Sequence, residues 1–380
     1  METPAQPPPP PINTTNTTTT TWDSLIPAPK TALSLLSQSI HNRQIQPKFF
    51  PTGCPDLDSN VLLGGFNAGS VVGISSEDED FALTLALQTI SLALLLPRGA
   101  GGEEKTALIV TTLPVQSLLP RLRTVLVEQL AKVVSFNNLQ TWTKECLSRI
   151  SISRVFDTHG LAEVLDELSL QRRKDTKGPD LVLMMNMTAL ISNLFTSKSH
   201  DKAAAHNFVT NLAARLDKMT QTGEYGTSGP GPLVMLLNST TSYNNDNTLA
   251  ETGEERKLDG GMTSTFYVPE VQSRDGEGIQ QGGRGNKNRK EIRPAWGQVF
   301  GRLVGVHLLC TTAGRDVGRK GWVVEVLGDE VGVYTSETTV VEEGDDRNGG
   351  GDEVIWTRRN REQRWGVVEL RNGAVVDVVF

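Results

Sequence analysis

Five short runs set the fold class: SVVGI (70–74), TALIVTT (106–112), RISISRVF (149–156), DLVLMMN (180–186) and PLVMLLN (232–238). They are close to continuously apolar, and stretches with helical spacing separate them. A strand with apolar side chains on both sides has to be covered on both faces. Strands alternating with helices at this spacing predict an α/β fold, with a parallel-rich central sheet flanked by helices and right-handed crossovers. The spacing predicts helices over 81–96, 118–134, 161–172 and 206–220. The first of these is mainly apolar, but at about sixteen residues it is too short to span a bilayer. Four acids precede it and Pro97 ends it, so it reads as a buried helix with no membrane role. From about residue 296 the pattern changes to strands joined by tight turns. Asn372-Gly373, set between alternating apolar residues, predicts a closing β-hairpin.

Apolar residues make up 37% of the chain, below the globular norm, so disordered segments should dilute the core. The Pro- and Thr-rich tail 1–21 fits that description, and 22–47 reads as a helix and linker ahead of a core over 48–380. Within that core, the polar, Gly-rich stretches at about 241–292 and 342–353 read as disordered insertions. The formal net charge of −7 excludes a globally basic nucleic-acid binder but permits a local basic patch. Cys54, Cys146 and Cys310 are far apart and odd in number, which excludes a disulfide framework and a cysteine zinc site. The histidines form no i,i+4 pair, so no metal is expected.

A strand feeding directly into a helix is where phosphate-binding loops sit. Such a loop needs glycines, so that backbone N–H groups can wrap the anion. It also needs a lysine for the β/γ-phosphates and a hydroxyl for Mg²⁺. Here the corresponding stretch is Gly73, Ile74, Ser75, Ser76, Glu77, Asp78, Glu79 and Asp80. Gly73 fits the first glycine. Asp78 stands at the second glycine, Glu79 at the lysine and Asp80 at the hydroxyl, so the sign of the charge is reversed. A carboxylate about 4 Å from a phosphate repels it by about 4 kcal/mol at an effective dielectric near 20. The same acids suit a helix N-terminus, where the macrodipole favours anions. The next strand ends in Thr111, Thr112 and Leu113, where a catalytic carboxylate would stand. The strand after that, DLVLMMN, ends in Met185 and Asn186, where a Mg²⁺-organising Asp would stand. No catalytic residue is therefore assigned. The segment 73–80 is read as a degenerate, non-binding phosphate loop, with neither ATP nor Mg²⁺ as cofactor.

The block PTGCPDLDSNVLLGGFNAGSVVGI (51–74) resembles the opening of the ATPase core of RecA-like recombinases, through Thr52, Gly53, Leu57, Asp58, Gly64, Gly65 and Gly69. RPAWGQVFGRLVGVHLL (293–309) is similar to a stretch of the eukaryotic and archaeal recombinases, and Asn238 matches a polar position before their second DNA-binding loop. The chain is identified as similar to the eukaryotic recombinase paralogs, some of which also lack working ATPase motifs. The resemblance implies a P-loop fold, DNA contact through loops at the sheet's carboxyl edge, a hetero-oligomer with a recombinase or other paralogs, and a nuclear location. The implied function is a non-catalytic, DNA-binding mediator or accessory subunit in homologous-recombination repair. Two alternatives are a scaffold subunit of an Elongator-type tRNA-modification complex and a divergent DNA-dependent ATPase.

Arg284, Lys287, Arg289, Lys290 and Arg293 lie within ten residues, opposed by Glu291. They are the candidate contacts to single-stranded DNA, since mobile cations neutralise phosphates without sequence preference. A basic linker or nuclear-localisation patch would carry the same pattern. Trp296, Trp322, Trp356 and Trp365 are assigned to the core or to a partner interface.

Overall fold

A computed structural model describes residues 48–95, 104–173, 178–196, 202–221, 231–243, 291–316, 319–339 and 353–378. Each of the five apolar runs forms a strand: β3 (Val71–Ser76), β4 (Ala107–Thr111), β5 (Ile150–Arg154), β6 (Leu181–Met184) and β7 (Leu233–Tyr243). Before them, β1 (Phe49–Phe50) and β2 (Phe66–Asn67) form a small antiparallel pair around a π-helical turn, Leu57–Val61. Later in the chain come β8 (Glu291–Pro294), β9 (Val306–Asp316), β10 (Arg319–Asp329), β11 (Val333–Thr339), β12 (Glu353–Arg359), β13 (Trp365–Arg371) and β14 (Ala374–Asp377). The helices are α1 (Glu79–Leu95), α2 (Val115–Ala131), α3 (Leu139–Ser148), α4 (Thr158–Arg173), α5 (Met187–Thr196), α6 (Lys202–Thr220) and the short α7 (Gly297–Phe300). No described helix is long and apolar enough to cross a membrane.

The main sheet has the order β14-β13-β10-β9-β3-β7-β6-β4-β5, with β8 paired to β7. From β9 to β5 every pair is parallel; from β9 through β10 and β13 to β14 every pair is antiparallel. This is the parallel-rich α/β sheet with C-terminal hairpins that the sequence predicts. Alternation along the strands divides the core between the two faces. Ile74, Ile109, Leu183 and Met235 pack against α1 and α2, while Val71, Val110, Val182 and Leu236 pack against α4, α5 and α6. The closing hairpin also forms as predicted. Asn372 and Gly373 take φ of 54° and 77°, the two positive values that a two-residue type I′ turn requires.

Three helices, α3, α5 and the four-residue α7, have no counterpart among the helices that the spacing predicts. Two expectations fall largely outside the described residues: the tail 1–21 with the helix over 22–47, and most of both insertions. The ends of the first insertion, 241–292, are strand. Thr241 to Tyr243 continue β7, and Glu291 and Ile292 open β8 opposite them. Glu353, the last residue of the second insertion, opens β12.

Candidate functional site

The segment between β3 and α1 departs from the loop that the sequence pattern suggests. The pattern makes Gly73 the first glycine of a phosphate loop, but it lies inside β3, paired with Leu236 on one side and His307 on the other. A Cβ there would come within 2.7 Å of the Phe300 ring and 2.8 Å of Val304, so the glycine serves close packing. The strand runs on through Ser75, paired with Asn238 and Leu309, and Ser76, paired with Ser239 and Cys310. The backbone N–H of Glu77 still bonds Cys310 O at 3.1 Å. Between the end of the strand and the start of α1 only Glu77 and Asp78 remain. Two residues are too few for a chain of N–H groups to curl around a phosphate in the manner of the eight-residue motif.

Each acid has its own surroundings. The Glu77 carboxylate accepts from Thr312 N at 2.7 Å and Thr312 Oγ1 at 2.8 Å, tying the loop to β9. Asp78 Oδ1 accepts from Asp80 N at 3.0 Å and Phe81 N at 3.4 Å, which makes Asp78 the N-cap of α1. Asp80 pairs with Arg121 on α2, and Glu79 is exposed at the first turn. A side-chain carboxylate therefore occupies the N–H groups of the helix terminus that a phosphate would otherwise use.

The neighbouring strand ends carry neutral hydrogen bonds. Asn186 Nδ2 donates to Thr112 Oγ1 at 2.7 Å, joining the two strand ends where a nucleotide hydrolase would carry carboxylates. Asn186 itself has φ of 59°, a left-handed conformation that asparagine tolerates. Thr188 Oγ1 donates to Asn238 Oδ1 at 2.6 Å and accepts from Ser239 N at 2.8 Å. Asn238 Nδ2 reaches Ser75 Oγ at 3.2 Å and Ala295 O at 2.8 Å, and Ser75 Oγ meets His307 Nε2 at 2.9 Å. Burial drives the His307 imidazole down to about 4, so at neutral pH the ring is uncharged. Above this polar row, Glu79, Asp80, Arg121, Leu113, Asn186 and Ser239 are among the residues that line a cleft of about 280 Å³ at the carboxyl edge of the sheet.

The retained part of the opening motif supports the fold. The Asp58 carboxylate accepts from Thr52 N at 2.9 Å and Gly53 N at 3.3 Å; burial raises the Asp58 pKa, and these bonds oppose the shift. Gln88 on α1 donates to Thr52 O at 2.8 Å and Val375 O at 2.9 Å, and accepts from Val375 N at 2.9 Å. The block thus fastens the first helix to the last strand. All three cysteines are buried, and burial pushes the Cys54 thiol up to about 12, which removes thiolate chemistry there.

No family model and no curated protein matches the chain. Among solved structures it is similar to a crystal structure of the RadB recombinase, at 14% identity over 87% of this chain and 100% of that one, with a TM-score of 0.45. At that level of overlap the likeness adds nothing to the strand order, on which the fold assignment rests.

Of the candidate DNA contacts, Arg284, Lys287, Arg289 and Lys290 lie outside the described residues. Arg293 lies within them, half-buried in β8 opposite Thr241, rather than on a loop. Trp322 is core, stacked on Phe81 with ring centroids 4.7 Å apart. Trp296 is also core: it stacks on Phe195 and donates to Ser192 Oγ at 2.8 Å. Trp365 is 50% exposed. Trp356 lies in β12. One buried pair has no signal in the sequence pattern. Arg361 donates from Nε to Asp329 Oδ2 and from Nη2 to Asp329 Oδ1, both at 2.8 Å, at the base of the β11–β12 ribbon.

Proposed function

We propose that this chain is a recombinase-like subunit without ATPase chemistry, serving as a DNA-binding accessory or mediator in homologous-recombination repair and working in the nucleus through a hetero-oligomer. The observation that carries the reading is the junction of β3 with α1. The strand continues past the glycine, two residues bridge to the helix, and a carboxylate caps the N–H groups that a phosphate would need. Neutral asparagine and threonine replace the charges that would hold Mg²⁺ and activate water. A site emptied of that chemistry inside an intact sheet suits a protein that acts by binding.

Two features support binding roles. Among the described residues, β5 pairs only with β4, so its outer edge offers backbone donors and acceptors to an extended segment of a partner. A groove of about 450 Å³ runs beside it, lined in part by Leu108, Ile152, Val164 and Leu168. For nucleic acid, the basic run at 284–293 supplies local cations in a chain of net charge −7.

The experiment is fluorescence anisotropy of a labelled single-stranded oligonucleotide over a salt series, with the chain alone and with a recombinase present. Affinity should fall with salt at a slope of about −0.7 per phosphate contact. Replacing Arg284, Lys287, Arg289, Lys290 and Arg293 by Gln should flatten that slope for all sequences alike. Unchanged affinity in the variant, or no DNA binding even with the recombinase present, would contradict the proposal.

A further inference from the structure

Phe156 follows the end of β5, at the carboxyl edge of the sheet. It is 72% exposed, more than any other large apolar side chain among the described residues. A phenylalanine left in water gives up the stabilisation that burial would bring. The guanidinium of Arg154 lies over the ring, 4.6 Å from its centroid. With one face under the guanidinium, so large an exposure means that the other face is open. Arg154 is itself exposed, and among the described residues no carboxylate pairs with it. The adjacent acid, Asp157, is turned back on the chain: its Oδ1 accepts from Gly160 N at 2.8 Å as the cap of α4.

The pair presents a flat π surface with an unopposed cation beside it. A ligand that satisfies both carries a planar ring and an anion a few ångströms apart. An aliphatic anchor from a protein would cover the ring and leave the guanidinium without an anion; an acidic side chain would do the reverse. A duplex keeps its ring faces inside its own stack. An unpaired nucleotide supplies both parts, because any base can stack on an aromatic ring and its phosphate can meet the arginine. We infer that Phe156 and Arg154 form a stacking contact for one nucleotide of a single strand. The inference rests on the DNA-binding reading above and adds to it a contact apart from the basic run. In the order β7-β6-β4-β5, β5 is three strands from β7, about 14 Å at the usual strand spacing. β7 pairs with β8, into which the basic run leads, so one short strand lying along the carboxyl edge reaches both.

The test uses the full chain and fluorescence anisotropy of a labelled oligothymidylate over a salt series, with an abasic strand of the same length beside it. Phe156→Leu keeps an apolar side chain but removes the ring. It should raise the oligothymidylate dissociation constant about fivefold or more, the effect of one lost base stack, and leave the slope with salt unchanged. Phe156→Trp should hold the wild-type affinity. Arg154→Gln should also weaken binding, and should reduce the slope by about 0.7, the share of one phosphate contact. On the abasic strand, wild type and Phe156→Leu should bind alike. Both positions are exposed, so the variants should keep the circular dichroism spectrum of the wild type. Wild-type DNA binding that neither Phe156→Leu nor Arg154→Gln changes would overturn the contact and leave the DNA-binding reading standing. A Phe156→Leu defect confined to binding of a recombinase would do the same, making the ring a protein anchor. No binding of oligothymidylate by the wild type, alone or with a recombinase, would overturn both.

Discussion

Replacing His307 by leucine should change how stability depends on pH, and the size of the change follows from burial. The ring is 1% exposed, its Nε2 is held by Ser75, and its Nδ1 has no hydrogen-bond partner among the described residues. In either tautomer the doubly protonated ring would carry an Nδ1–H with no acceptor among the described residues, and burial lowers the imidazole pKa from 6.5 to about 4. Above the unfolded value the ring is neutral in both states and costs nothing. As pH falls below that value, the unfolded chain takes up a proton that the folded ring refuses. Stability is then lost progressively until the folded pKa is reached. Each tenfold weakening of proton binding is worth about 1.4 kcal/mol, so the loss is about 2 kcal/mol at about pH 5 and levels off at about 3 kcal/mol below about pH 4. Urea denaturation of wild type and His307→Leu at about pH 7.5 and about pH 5 isolates this effect. The variant also loses the bond to Ser75 and the edge contact with Phe300. Those losses are the same at both pH values and cancel in the comparison. The stability gap between the two proteins should move by about 2 kcal/mol in favour of the variant on acidification. A gap that does not move with pH would refute the buried, neutral ring.

Arg361→Ala should destabilise the chain by about 3–5 kcal/mol in the same urea assay, because it leaves Asp329 buried and unpaired. Replacing both members of the pair by apolar residues should cost less than that single change. Gly73→Val should cost about 1–3 kcal/mol or more through the clash with Phe300 and Val304, measured as a drop in thermal midpoint; a neutral outcome would mean the strand is not packed this closely. Asp78→Ala should cost about 0.5–2 kcal/mol as the loss of a helix cap, and Asp78→Asn, which still accepts a hydrogen bond, should recover most of it.

Most strands of the parallel sheet are legible in the sequence because they are apolar on both faces and flanked by polar turns, while the edge strand β5 shows only the alternation of Ile150 and Ile152 with serine. The hairpin at Asn372-Gly373 is legible because its turn type demands those residues. Helix α5 is not: MTALISNLFT follows DLVLMMN without a polar break, so the strand and helix periods merge. Helix α3 buries only Thr143 and Cys146, too few apolar positions to mark a face. At the candidate site the reversal of charge can be read from Glu77 to Asp80, but the loss of the loop itself cannot. That loss depends on Ser75 and Ser76 remaining in the ladder between β7 and β9, a long-range pairing with no local signature. The Arg361–Asp329 pair is hidden for the same reason: in sequence, Arg361 stands in a run of charged and polar residues that reads as surface.

The measurement that tests the central claim most directly is isothermal calorimetry of the full chain with ATP and Mg²⁺ at millimolar nucleotide. The junction of β3 with α1 has no loop to wrap a phosphate, and Asp78 already occupies the helix N–H groups, so the titration should show no saturable heat. A saturable isotherm in the micromolar range, accompanied by a rise in thermal midpoint, would contradict the account.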